Sequence, residues 1–110
     1  MNEYIFLMHD DIDNRSSRRA SPDWQSYIAR LQAGGHFVGG SAIGGGTSAS
    51  KSGVTTEITR YLSGFMRVRA ESLDQARSLL TGNPVFEAGG TVEIRELPRE
   101  KNVERAGRES

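Results

Sequence analysis

The sequence predicts an α+β domain built on a four-stranded antiparallel sheet, with elements in the order β-α-β-β-α-β. Three observations carry that expectation: an apolar run at the N-terminus, two amphipathic segments bracketed by helix signals, and alternating segments in the second half. The 110-residue chain has room for one such domain around one core. Residues 1–98 are expected to form it, with 99–110 as a polar tail.

Residues Glu3 to His9 carry apolar side chains of both parities, which suits a central strand covered on both faces. Asp10 to Ala20 is polar and aperiodic, hence a loop. Ser21-Pro22-Asp23 then opens a helix: a serine cap, a proline at the first helical position, and an acid at the positive end. Trp24, Tyr27, Ile28 and Leu31 form its apolar stripe, and Gly34-Gly35 ends it. His36 to Ile43 reads as a second strand, whose glycines place it at a sheet edge. Gly44 to Gly53 is a flexible connection.

Thr55 to Ala70 is the longest extended segment. Leu62, Met66 and Val68 share one face of it; Tyr61, Ser63, Phe65, Arg67 and Arg69 share the other. Ser72 to Gln75 has a capping-box pattern, and Leu73, Ala76 and Leu80 form the buried stripe of a second helix. Gly82-Asn83-Pro84 stops that helix. A last strand runs from Thr91 to Leu97, with Val92 and Ile94 on one side and Thr91, Glu93 and Arg95 on the other. The tail beyond Pro98 has one large apolar residue, Val103, and is expected to fray.

This order is that of ferredoxin-like domains, in which two helices cover one sheet face. The other face, with Tyr61 and Phe65, is too apolar to stay wholly wet, so a second copy is the expected cover and the chain a homodimer. Fourteen basic and fourteen acidic side chains cancel, which leaves no electrostatic footprint for nucleic acid or an anionic membrane. The run Tyr4 to Met8 is too short for a signal core or a membrane span, and a cytoplasmic protein is expected.

Cofactor chemistry finds little support. Without cysteine there is neither a disulfide nor a thiolate metal site. The two histidines and scattered carboxylates lack metal-ligand spacing, and Asp10, Asp11 and Asp13 lack the glycine and glutamate of a calcium loop. Gly44-Gly45-Gly46 lies between two strands rather than before a helix, and Lys51 is misplaced for a phosphate loop. No metal and no cofactor are expected.

Three stretches resemble the YCII-related family. They are YIFLMHDD at the start, ARLQAGGHFVGGSAI in the middle, and GFMRVRAESLDQARSLLTGNPVFEAGGTVEIRELP at the end. The resemblance spans nearly everything from Glu3 to Pro98 and implies the dimeric α/β-barrel form of the ferredoxin-like fold. The chain lacks the Asp-Gly-Pro-Phe signature of one branch of that family. It also departs from a proposed catalytic pair, a histidine on the first helix with an aspartate after the second. The matching helix, from Ser21 to Tyr27, has no histidine, and Asn83 stands before the proline. Asparagine cannot ionise and so cannot take a proton as a carboxylate does.

The remaining candidates come from the residues themselves. His9 ends the first strand near Asp10, Asp11 and Asp13, where a carboxylate would orient it as a general base; the plainer alternative is a solvated strand-end histidine. His36 follows two glycines, a place where histidine more often meets backbone carbonyls or water. Arg67, Arg69, Glu93 and Arg95 lie on the open face, either as an anion clamp or as an ion-pair network between subunits.

The sequence holds no complete catalytic motif. Its leading expectation is a pocket on the open sheet face that binds, and with His9 as proton carrier turns over, a small polar or carboxylated molecule. Tyr61, Phe65, Arg67, Glu93 and Arg95 would be the binders. Two alternatives stand beside it: a non-catalytic homodimeric module for a ligand or protein, and a cofactor-independent oxygenase with an aromatic cavity. A buried carboxylate on His9 would mark the enzyme; a solvated His9 would mark the module.

Overall fold

The computed structural model describes residues 1–11, 24–53 and 57–98. All but Asp10 and Asp11 of the expected first loop, the helix cap at Ser21, the start of the third extended segment at Thr55, and the tail lie outside them. The elements are β1 (Asn2–His9), α1 (Trp24–Ala33), β2 (Phe37–Ala42), β3 (Leu62–Ala70), α2 (Leu73–Ser78), α3 (Pro84–Glu87) and β4 (Thr91–Leu97). The sheet is antiparallel with strand order β2-β3-β1-β4. β1 is thus central and β2 lies at an edge, as its glycines suggest.

Alternation sorts the side chains into two faces. Tyr4, Phe6 and Met8 of β1 and Met66, Val68 and Ala70 of β3 are buried with Tyr27 and Leu31 of α1, Ala76 of α2, and Leu80. The ladder sets Phe6 opposite both Met66 and Ile94, so the core crosses three strands under the helices. The opposite parity, with Ile5, Leu7, Phe65, Arg67, Glu93 and Arg95, forms the face that no helix covers.

Two bulges interrupt this regularity. Between Met8 and His9 the register advances two residues on β3 for one on β1, so Ser63 is the extra residue. Between Phe37 and Gly39, Val38 is the extra residue on β2. A bulge bends its strand and re-aims side chains, here at one corner of the sheet. Close packing of β2 on β3 also depends on Gly40, where an added Cβ would lie 2.6 Å from the Phe65 carbonyl oxygen.

The helix ends follow local chemistry. Gly35 adopts φ +78° after α1, and His36 N–H reaches back to the Leu31 carbonyl at 2.9 Å. Ser72 caps α2 by accepting from Gln75 N–H at 3.1 Å, while Gln75 Oε1 accepts from Glu71 N–H at 2.6 Å. Three sequence expectations change. Leu73 is 54% exposed, so Ala76 and Leu80 carry the buried stripe without it. β3 begins at Leu62 rather than near Thr55, and none of residues 57–61 is in a strand. Gly82-Asn83-Pro84 is a start as well as a stop, because Asn83 caps the short α3.

Candidate functional site

The sequence candidates do not form one site. His9 Nε2 lies 3.4 Å from Glu93 Oε1, and Arg95 Nη1 donates to the other carboxylate oxygen of Glu93 at 3.1 Å. Arg67 Nη2 pairs instead with Glu3 Oε2 at 2.7 Å. Both groups belong to the helix-free face. The His9 partner is thus Glu93, across the ladder, and Glu93 is 43% exposed in its side chain rather than buried. Tyr61 stands before β3, 48% exposed, and its carbonyl accepts from Asp10 N–H. His36 donates from Nδ1 to the Arg69 carbonyl at 2.8 Å, a backbone role.

Electrostatics at this strand end favour charged carboxylates. Hydrogen bonds from Arg95 hold the Glu93 carboxyl below its ordinary range, with a smaller contribution from His9. Asp11 is lowered likewise. Its carboxylate accepts from the Thr91 hydroxyl at 2.7 Å and from Thr91 N–H at 3.0 Å, tying the exit of β1 to the start of β4.

A cavity of about 390 Å³ opens elsewhere, toward the helix side of the β2–β3–β1 corner. Trp24 and Ile28 of α1 line one wall, and Val85 of α3 closes beside Met8. Phe37, Gly40, Phe65 and Met66 contribute from the sheet, together with the Ser41-Ala42 and Ser63-Gly64 strand ends. Of the sequence candidates only Phe65 belongs to it, and no ionisable side chain lines it. The expected open-face location is therefore not where this cavity lies. The Val38 bulge lets Phe37 and Gly40, three residues apart, both reach it.

Behind the wall sit Tyr27 and Asn83. The Tyr27 hydroxyl donates to the Leu79 carbonyl at 2.8 Å and is in hydrogen-bond contact with the Asn83 side chain. Burial pushes the Tyr27 phenol up, against smaller opposing effects of Asn83 and Arg30, so it stays neutral. Asn83 is wholly buried: its Oδ1 accepts from Val85 N–H at 3.0 Å and Phe86 N–H at 3.1 Å, and its Nδ2 faces Met8 Sδ at 3.7 Å. Both groups are committed to the fold, and neither supplies a proton acceptor to the cavity.

Sequence reading missed most of this lining. Trp24 and Ile28 read as core stripe, and at helical spacing nothing separates a cavity wall from a packed core. Among the described residues no helix is long and apolar enough to cross a membrane, and no three potential ligands gather around a metal position.

Comparison with known proteins places the chain. The model of the YCII-related domain matches residues 3–101. No curated protein gives a significant match. Among solved structures the chain is similar to the 5-chloro-2-hydroxyhydroquinone dehydrochlorinase of Burkholderia phenoliruptrix, solved in complex with 2,5-dihydroxybenzoquinone. The TM-score is 0.56 at 18% identity, over 91% of this chain and 97% of that one, a likeness of fold.

Proposed function

The chain belongs to the YCII-related domain family, and from that premise we propose that it binds a small molecule with a flat apolar body in the cavity between α1 and the sheet. One observation carries the reading: a space of about 390 Å³ walled by Trp24, Ile28, Phe37 and Val85, with no charged side chain among its lining. Ligand pockets are concave and mostly apolar, with a few polar groups that fix orientation. This shifts the expected ligand from a polar or carboxylated molecule toward an apolar one. It favours the binding module over the enzyme, since His9 lies outside the cavity and pairs with an exposed carboxylate.

The test uses an intrinsic reporter. Trp24 is the chain's one tryptophan, and it lines the cavity. Titration with 1,4-naphthoquinone, a flat neutral quinone, corrected against free tryptophan, is expected to quench its fluorescence to saturation and to raise Tm. An Ile28→Trp variant, which fills the cavity, is expected to lose the Tm rise. Quenching that grows linearly with quinone, with no thermal shift, would discard the reading.

We also infer that His9, Glu93, Arg95, Arg67 and Tyr61 serve a contact between two copies rather than a ligand. Ile5 and Leu7 are half-buried on the helix-free face, with Arg67 and Arg95 flanking Ile5 and Phe65 and Glu93 flanking Leu7. Such a face suits an isologous contact with itself. Sedimentation is expected to give a dimer at micromolar concentration, and Leu7→Lys to shift it to monomer by setting a charge amid that apolar strip. A wild-type monomer at that concentration contradicts the inference.

A further inference from the structure

Part of the cavity floor is bare. Ala42 pairs with Gly64 and Gly64 with Met8, so the three positions form one row across β2, β3 and β1 on the helix side of the sheet. All three line the cavity. In the neighbouring row Met66 and Phe6 fill the same level with buried side chains. Gly64 supplies no side chain, and Ala42, exposed on the edge strand, supplies a single carbon. The space under Trp24 and Ile28 is thus the place of a missing layer of sheet side chains.

Neither backbone nor packing demands the glycine at 64. Its φ is not positive. A Cβ there would lie 3.5 Å from Met8 Cε, an ordinary contact, and 3.2 Å from the Ser41 carbonyl oxygen. Relief of the second needs a shift of a few tenths of an ångström in β2, an edge strand with no neighbour on its outer side. Glycine inside a strand weakens it, so the bare position costs stability that no close approach requires.

Resting on the cavity reading above, we propose that Gly64 and Ala42 determine the specificity of the cavity. They hold it to the depth of one side-chain layer, which takes a flat neutral ring lying on the sheet and rejects a cage with as many carbons. Met8 bounds the slot on the β1 side. Its Cε turns toward Gly64 while its Sδ accepts from Asn83 Nδ2 at 3.7 Å. An unbranched thioether adapts to the outline of a ring and makes a favourable contact at its edge. A methyl group at position 64 would rise into the level that the ring occupies, and a larger residue at 42 would fill it from the side.

Two neutral ten-carbon ketones test this: planar 1,4-naphthoquinone, followed by quenching of Trp24, and camphor, a cage, followed by its competition with the quinone. Camphor is expected to bind about tenfold or more weaker, the cost of forcing bulk into a closely packed space. Gly64→Ala is expected to weaken the quinone by about fivefold or more, with Tm at or near the wild-type value. Ala42→Leu, exposed and outside the core, is expected to weaken it by a similar factor, and it decides the matter should Gly64→Ala lower Tm.

Camphor competing as well as the quinone overturns the proposal. So does quinone affinity that is unchanged in Ala42→Leu, or in a Gly64→Ala variant of wild-type Tm. In each of these cases the quinone still binds and the cavity reading stands. Absence of saturable quinone binding by the wild type overturns both.

Discussion

Replacing Phe6 with alanine is expected to destabilise the fold by about 3–5 kcal/mol, the largest effect of any single truncation considered. Phe6 is fully buried at the middle of the central strand, opposite Met66 on one side and Ile94 on the other. Its ring lies where three strands and the helical layer meet, so deletion removes buried area and leaves a void bounded by ladder backbone that cannot collapse. Urea titration followed by circular dichroism should show a lower midpoint with an unchanged slope, since the surface exposed on unfolding stays nearly the same. Phe6→Leu, which fills most of the space, should recover more than half the loss. A midpoint within experimental error of wild type for Phe6→Ala would mean that the core is not organised around β1.

Asn83→Ala is expected to cost about 2–3 kcal/mol, enough to lower Tm by roughly 10 °C or more in a domain of this size. The residue is wholly buried and does several jobs at once. Its Oδ1 accepts the first two free N–H groups of α3, those of Val85 and Phe86, and loss of such a cap alone costs about 1 kcal/mol. Its side chain also contacts the Tyr27 hydroxyl, which burial keeps from water. Alanine leaves both amides and part of the phenol's bonding capacity unsatisfied in a dry place. Differential scanning calorimetry checks the stability, and tyrosine-specific near-ultraviolet absorbance checks whether Tyr27 has become wetted. Val85 follows Asn83 in the α3 turn and lines the cavity, so affinity for 1,4-naphthoquinone should weaken in parallel.

The layers were legible because burial in a sheet is written with period two. Met66 and Val68 separate from Phe65 and Arg67 by parity alone, and the structure keeps that separation, whereas Leu62, beyond the Ser63 bulge, pairs with His9 instead. The helix stripe of Tyr27 and Leu31 was legible at period 3.6 for the same reason. What failed was long-range or ambiguous. Glu93 becomes the partner of His9 through β1–β4 pairing, which no local pattern records. Asn83-Pro84 carries the chemistry of a helix start, yet after Gly82 it reads equally as an end.

The cavity was the least legible feature. It depends on the Val38 and Ser63 bulges, and a bulge is a mismatch between two strands rather than a property of either one. Leu73 was misread for a simpler reason. As the first residue after the Ser72 cap it sits on a single turn whose covered side is already taken by Ala76 and Leu80.

The central position of β1 has a consequence for how the chain comes to be folded. The first strand of the domain has no sheet neighbour in its own half of the domain, since both of its partners, β3 and β4, come from the second half. Its alternating aromatic and aliphatic residues must therefore wait for the second half of the domain before a ladder forms on either edge. Pairings so distant in sequence close slowly, because the entropy of a long loop is lost before any contact repays it. A nascent chain halted before β3 would carry Tyr4, Phe6 and Met8 uncovered, the form most exposed to chaperones and to aggregation.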